Sequence, residues 1–251
     1  MDSTMPINLF SSQHKPVNRL FSTETIITSG LICHLKTAPS SGSTWTDEIG
    51  NSNASLGNSP TYSSNNGGYI SLNGSNQYIL TSTALTSQYS GTSPNKSTAN
   101  SIFIWCYPTE QGVIISELGI SSLASGWHDS NIEMLSTGVI CFSVWHNALT
   151  TKVSSTAKLF NNWYYLGWTY SGTTLTAYIN GVSVGTATLT RSAPYNNGYN
   201  LFYALGASDG TNMGDGTYCN MRVGSFQVYN RGLTALEVAR NYNSNKSRYG
   251  L

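Results

Sequence analysis

The chain has 251 residues and a formal net charge of +1, with 9% charged, 39% hydrophobic and 12% aromatic residues. That is enough apolar content for one large β-sandwich core, and no second domain is needed to explain the length. The absence of a basic stripe argues against nucleic acid as a partner, and no apolar run is long enough for a membrane-spanning helix. Ser, Thr, Asn and Gly, with 16 Tyr, take the place of the missing charges. Such a surface suits contacts through hydroxyls, amides and aromatic faces, as with glycans or with neighbouring subunits of a lattice.

Residues 1–28 differ from the rest. They carry Pro6, Pro16, scattered charges and isolated apolar anchors at Leu9, Phe10, Leu20 and Phe21, with no regular period. The expectation is an extended N-terminal docking arm without a core of its own. The segment has no apolar h-region, so no secretory signal is expected.

Residues 29–251 read as one sandwich. GLICHL is a first strand, in which His34 alternates with apolar neighbours and reads as a satisfied strand residue. Pro39 to Tyr62 is turn-rich and includes Trp45-Thr46-Asp47. GGYISLNGSNQYILTS reads as two strands about an Asn73-Gly74 turn, and Ser82 to Asn100 as a polar loop. SIFIWCYP is apolar on both faces, with Ile102, Ile104 and Cys106 on one and Phe103, Trp105 and Tyr107 on the other. Such a strand belongs in the middle of a packed sheet. GVIISEL, NIEML and VICFSVW follow as strands, the last two joined by a turn at 136–138.

Trp163 to Thr186 predicts three strands joined by turns at Ser171-Gly172 and Asn180-Gly181. Asn-Gly favours a two-residue hairpin because both central residues must accept positive φ. Leu175, Ala177 and Ile179 alternate with Thr174, Thr176 and Tyr178, giving one face to bury and one to wet. NLFYALGA and MRVGSFQVYN are the last strands. In LTALEVARNYN, Thr234 and Glu237 form a capping box, with Leu233 and Val238 as a hydrophobic staple around it. KSRYGL closes the chain. Cys33, Cys106, Cys141 and Cys219 are widely spaced, with no CxxC pair. They read as buried free thiols, not zinc ligands, and spacing alone does not test a disulfide.

Three blocks in order carry a resemblance: GLICHL with WTDEIG…GGYISLNGSNQYI, then SIFIWCYP with WYYLGWTYSGTTLTAYINGVSVGT, then ALGASDG…MRVGSFQVYNRGLTALEVARNYN. Over residues about 30–251 the chain resembles concanavalin-A-like, laminin-G-like jelly-roll domains. The closing NYNSNKSRYGL resembles the variant found in structural proteins of tailed phages and large DNA viruses. The implied fold is all-β, a two-sheet antiparallel jelly-roll sandwich with one short C-terminal helix.

The superfold hosts lectins, glycosidases, adhesion modules and particle proteins. Laminarinase-type members place acids at i, i+2 and i+4 on one strand. The nearest pattern here is Asp129, Asn131 and Glu133, with the middle acid replaced. Laminin-G-like and pentraxin-like relatives often hold calcium at a rim, which points to Asp209 and Asp215 in ASDGTNMGDG. Asn73 and Asn76 stand where related domains often have Asp. Glycan binding without metal needs aromatic platforms, for which Trp127, Trp145, Tyr195, Tyr199 and Tyr203 are candidates. The four histidines match no nucleophile signature.

The resulting expectation is a non-enzymatic virion structural protein: a capsid decoration, fibre or tail-associated protein. It would assemble in the host cytoplasm and sit on the virion surface, docked to other virion proteins through residues 1–28. Homo-oligomerisation and recognition of host-surface glycans are compatible with it. The alternatives are a carbohydrate-binding module or adhesin outside any particle, and a glycoside hydrolase.

Overall fold

The structure is a computed structural model that describes residues 25–88, 99–146, 149–188, 200–211 and 213–251, with the backbone alone at 129–130, 145–146 and 149–151. Leu9, Phe10, Leu20 and Phe21 lie outside the described residues. In chain order the strands are β1 (Leu31–Leu35), β2 (Thr44–Trp45), β3 (Ala54–Gly57), β4 (Thr61–Ser63), β5 (Tyr69–Asn73), β6 (Tyr78–Thr81), β7 (Ala99–Pro108) and β8 (Gly112–Leu118). They continue as β9 (His128–Met134), β10 (Ile140–His146), β11 (Leu149–Ser154), β12 (Tyr164–Ser171), β13 (Thr174–Ile179), β14 (Val182–Thr188), β15 (Phe202–Leu205) and β16 (Asn220–Tyr229). Helix α1 (Ala235–Asn245) follows.

Two antiparallel sheets form a sandwich. One runs β14-β13-β12-β7-β16-β5-β4, with β1 also on β16; the other runs β11-β10-β9-β8-β15-β6-β3-β2. As its two-sided apolar pattern predicts, β7 is an interior strand between β12 and β16. Ile102, Ile104 and Cys106 enter the core between the sheets. Phe103, Trp105 and Tyr107 join an aromatic cluster on the outer face.

That outer face is kept dry by the C-terminus. The α1 residue Val238 and Tyr249 of the tail belong to the same cluster. Tyr249 stacks on Trp105, with ring centroids 4.3 Å apart, and tilts against Trp163 at 4.6 Å. Arg248 fixes the tail by donating to the carbonyls of Asn66, Gly67, Gly68, Gly224 and Lys36. The predicted capping box is present: Thr234 Oγ1 accepts from Glu237 N, and Glu237 Oε2 accepts from Thr234 N. Residues Ile26 and Ile27, placed in the arm by composition, pack on this cluster. Ile27 N donates to Asn241 Oδ1, and Tyr229 Oη donates to the Ile27 carbonyl.

Three local readings change. The β12–β13 turn is Gly172-Thr173, one residue later than predicted, because Ser171 pairs with Thr174. Gly172 takes the positive φ of 61° that the tight turn demands. Tyr178, expected on the wet face of β13, is 4% exposed and packs near Phe103, because α1 and the tail cover that face. Asn73-Gly74 does not close a hairpin. Strands β5 and β6 belong to different sheets, and the loop carries the chain across the sandwich. Asn73 Oδ1 organises that crossing by accepting from the N–H groups of Ser75, Asn76 and Gln77. All four cysteines are buried free thiols.

Candidate functional site

Strand register brings polar side chains together on the outer face of β8, β9 and β10. Ile132 and Met134 point into the core, so Asn131 and Glu133 point away from it. Asn131 lies opposite Ser116 on β8 and Ser143 on β10, while Glu133 lies opposite Val113 and Cys141. This is the face on which a glycosidase of this architecture would need open carboxylates.

Here the segment between β15 and β16 covers it. Ser208 Oγ lies 2.8 Å from Ser116 Oγ, and Met213 N donates to Glu133 Oε2 at 3.1 Å. Asn131 Nδ2 donates to the other Glu133 oxygen at 3.1 Å. Glu133 is 1% exposed. A retaining pair needs two carboxyls about 5–5.5 Å apart with sugar between them. Glu133 instead has protein donors on both oxygens and no route to solvent. The side chain of Asp129 lies outside the described ones.

The two aspartates of the predicted calcium loop go to different partners. The Asp209 side chain is largely covered and lies beside His128, Oδ1 to Nδ1 2.9 Å. Asp215 accepts from Ser136 N at 3.1 Å and Ser136 Oγ at 3.4 Å. Among the described residues no cluster of three or more His, Cys, Asp or Glu side chains could hold a metal ion.

Asp215 faces instead into an open pocket of about 580 Å³ at one end of the sandwich. Four chain segments build it: the β5–β6 crossing at Gly74, the β7–β8 turn at Thr109–Gln111, Phe160, and Asp215–Tyr218. These segments are locked together by backbone contacts. Thr109 donates twice to the Asn220 carbonyl, through N and Oγ1. Gly112 has φ 131°, and a Cβ there would fall 2.0 Å from the Tyr218 oxygen, so only glycine lets the turn approach so closely. The pocket offers two carboxylates (Glu110 and Asp215), the Gln111 amide and the half-buried rings of Phe160 and Tyr218. Such a set accepts hydroxyl protons and packs on the apolar face of a pyranose.

Sequence reasoning named Asp215 as a calcium ligand with Asp209, not as a wall of this pocket, and named none of Glu110, Gln111, Phe160 and Tyr218. Their signal in the chain is only that of turn residues between strands. Trp127 lies half-buried just before β9, and Trp145 is described by its β10 backbone alone. Tyr195 and Tyr199 lie outside the described residues. Tyr203 is no stacking platform: it is fully buried, its ring 5.6 Å from Phe226 and its hydroxyl donating to Glu117 Oε1. Alternation on β15 turns it into the core.

The sequence model of the concanavalin A-like lectin/glucanases superfamily matches residues 73–239, more than half of the chain. The chain belongs to that superfamily. No curated protein matches it in sequence. Among solved structures it is similar to the binding domain of botulinum neurotoxin DC in complex with SialylT, at 14% identity and a TM-score of 0.65. That match covers 89% of this chain and 52% of the other. It is also similar to the binding domain of Paraclostridial Mosquitocidal Protein 1, at 16% identity and a TM-score of 0.61, with 86% and 52% covered. The botulinum neurotoxin type G receptor binding domain is similar at 17% identity and a TM-score of 0.59, with 86% and 51% covered. This chain thus spans about half the length of these structures, and at such identities the likeness is one of fold.

Proposed function

We propose that this chain is a non-catalytic, lectin-like binding domain that recognises saccharide through the loop-end pocket. It is displayed on the outside of a virus or phage particle and docked there by residues 1–28. The observation that carries the binding reading is the pocket itself, where carboxylates, an amide and two rings converge from four separate segments. The cover over Glu133 speaks against hydrolysis at the predicted acids. The names of the similar structures, a neurotoxin binding domain in complex with SialylT and a neurotoxin whose cell entry depends on two ganglioside molecules, support recognition as the task. One similar structure is a complex with a protein, synaptotagmin II, so a protein receptor is the competing class of ligand. Recognition in the pocket uses no metal, and calcium at Asp209 or Asp215 is not part of this reading.

The particle reading is supported by the low-charge surface, by the likeness of NYNSNKSRYGL to virion proteins, and by the paired anchors Leu9-Phe10 and Leu20-Phe21. Density-gradient fractionation of the native source tests it, following the chain by mass spectrometry. Co-sedimentation with a particle at fixed stoichiometry to its shell protein is the expected result. Removal of residues 1–24 should abolish incorporation while the domain stays folded. Recovery only as free protein would replace this reading with that of a stand-alone carbohydrate-binding module.

A further inference from the structure

Among the described residues, the charged side chains that line the loop-end pocket are Glu110 and Asp215, and both are carboxylates. Asp215 is not free to swing away, since Ser136 holds it through its N–H at 3.1 Å and its hydroxyl at 3.4 Å. A carboxylate has about four acceptor sites, so these two donors leave capacity for ligand hydroxyls. Glu110 is exposed, with its backbone fixed by Cys219 Sγ donating to its carbonyl at 3.5 Å. Lys158 lies in the loop that leads to Phe160 and is exposed, but it is not among the residues that line the pocket. The remaining polar offer is neutral: the Gln111 amide and the hydroxyls of Thr109, Thr217 and Tyr218.

We infer that this pocket selects uncharged or cationic saccharides and rejects sialylated and sulfated ones. The inference rests on the saccharide-binding reading above and narrows its ligand class. An anionic sugar seated against the rings would bring its charge beside two like charges, with no cation among the described lining residues to neutralise it. At contact distance each like pair costs a few-fold in affinity even in water, and salt screens part of this. Neutral sugars meet no such penalty, because their hydroxyls donate to the same carboxylates. An ammonium group on an amino sugar gains from them.

The test is a glycan array and solution titration with the full chain, using matched neutral, sialylated, sulfated and amino-sugar forms of each core. Binding to neutral or amino forms should exceed binding to the anionic forms by about tenfold or more. The gap should widen at low salt. In the double variant Glu110→Gln with Asp215→Asn the ratio should fall to about twofold, whatever happens to absolute affinity. Asn still accepts from Ser136, and an unchanged thermal midpoint would confirm that the variant folds; Glu110→Gln alone serves if it does not. Equal or tighter binding of the anionic forms, or a ratio unchanged in the variants, would overturn this inference and leave saccharide binding standing. Binding to no saccharide on the array would overturn the reading beneath it as well.

Discussion

Two buried polar residues decide more than the sequence pattern suggests. Asp47 is 3% exposed and accepts four backbone N–H groups, those of His34, Ile49, Asn51 and Ser52, at 2.7–3.1 Å. It ties β1 to the turn-rich region after it. Asp47→Ala strands these donors in a dry site, so it should destabilise by about 3 kcal/mol or more, read from urea midpoints. Asp47→Asn should lose less. His34 Nδ1 approaches Glu48 at 3.7 Å, yet burial holds its pKa down at about 4, with Lys36 and Arg248 acting in the same direction against Asp47. The imidazole is therefore neutral in the fold at neutral pH, and the Glu48 contact is not an ion pair. Between pH 6.5 and 4 the unfolded chain binds the extra proton, so stability is complete above pH 6.5 and is lost as pH falls. Urea midpoints at pH 7 and pH 4.5 should show this loss, and His34→Gln should shrink it. Nothing in the LICHL alternation told which partners would close over His34; that depends on the 47–52 turn folding back.

At the scale of elements, local chemistry was largely readable. The Thr234–Glu237 box starts α1 as predicted, and Glu237 also pairs with Arg231 through two short hydrogen bonds. That guanidinium, with the Thr234 backbone, lowers the Glu237 pKa to about 2. The stabilisation is present above the ordinary value of 4.5 and is lost as pH falls from there through about 2. Thermal midpoints across this window should fall less steeply in Glu237→Gln. Thr234→Ala should cost about 0.5–2 kcal/mol. Asn180 and Gly181 take the positive φ values their turn needs, 52° and 79°. Gly181→Ala should cost about 1 kcal/mol or more, since a Cβ there would also press on Tyr242 and Ala239 of α1. The Asn73-Gly74 reading failed because the same dipeptide serves hairpins and sheet crossings. Which one forms depends on partners distant in sequence: Asn220 for Asn73 and Gly57 for Tyr78.

For the whole molecule, the tail is a structural cover and not an appendage. Tyr249 is 3% exposed, and burial pushes its hydroxyl up to about 12. Tyr249→Ala should open the cleft above Trp105 and Trp163, destabilise the fold by about 3–5 kcal/mol and shift tryptophan emission to the red. Amino-acid order by itself determined the class of this protein. Strand periodicity, the turn pairs, the two-sided β7 and the capped helix each follow from side chains within a few residues of one another, where covalent geometry and local burial preference act. It also determined a surface poor in charge and rich in hydroxyls, amides and rings. Only the tertiary structure decided where chemistry could occur. Strand register set Glu133 on an outer face, and a loop some eighty residues later in the chain covered it. The fold turned Tyr203 inward and gathered Glu110, Gln111, Phe160, Asp215 and Tyr218 from separate loops into one pocket. Such meetings join segments far apart along the chain. Their energetics reside in packing and hydrogen bonds that no local pattern encodes.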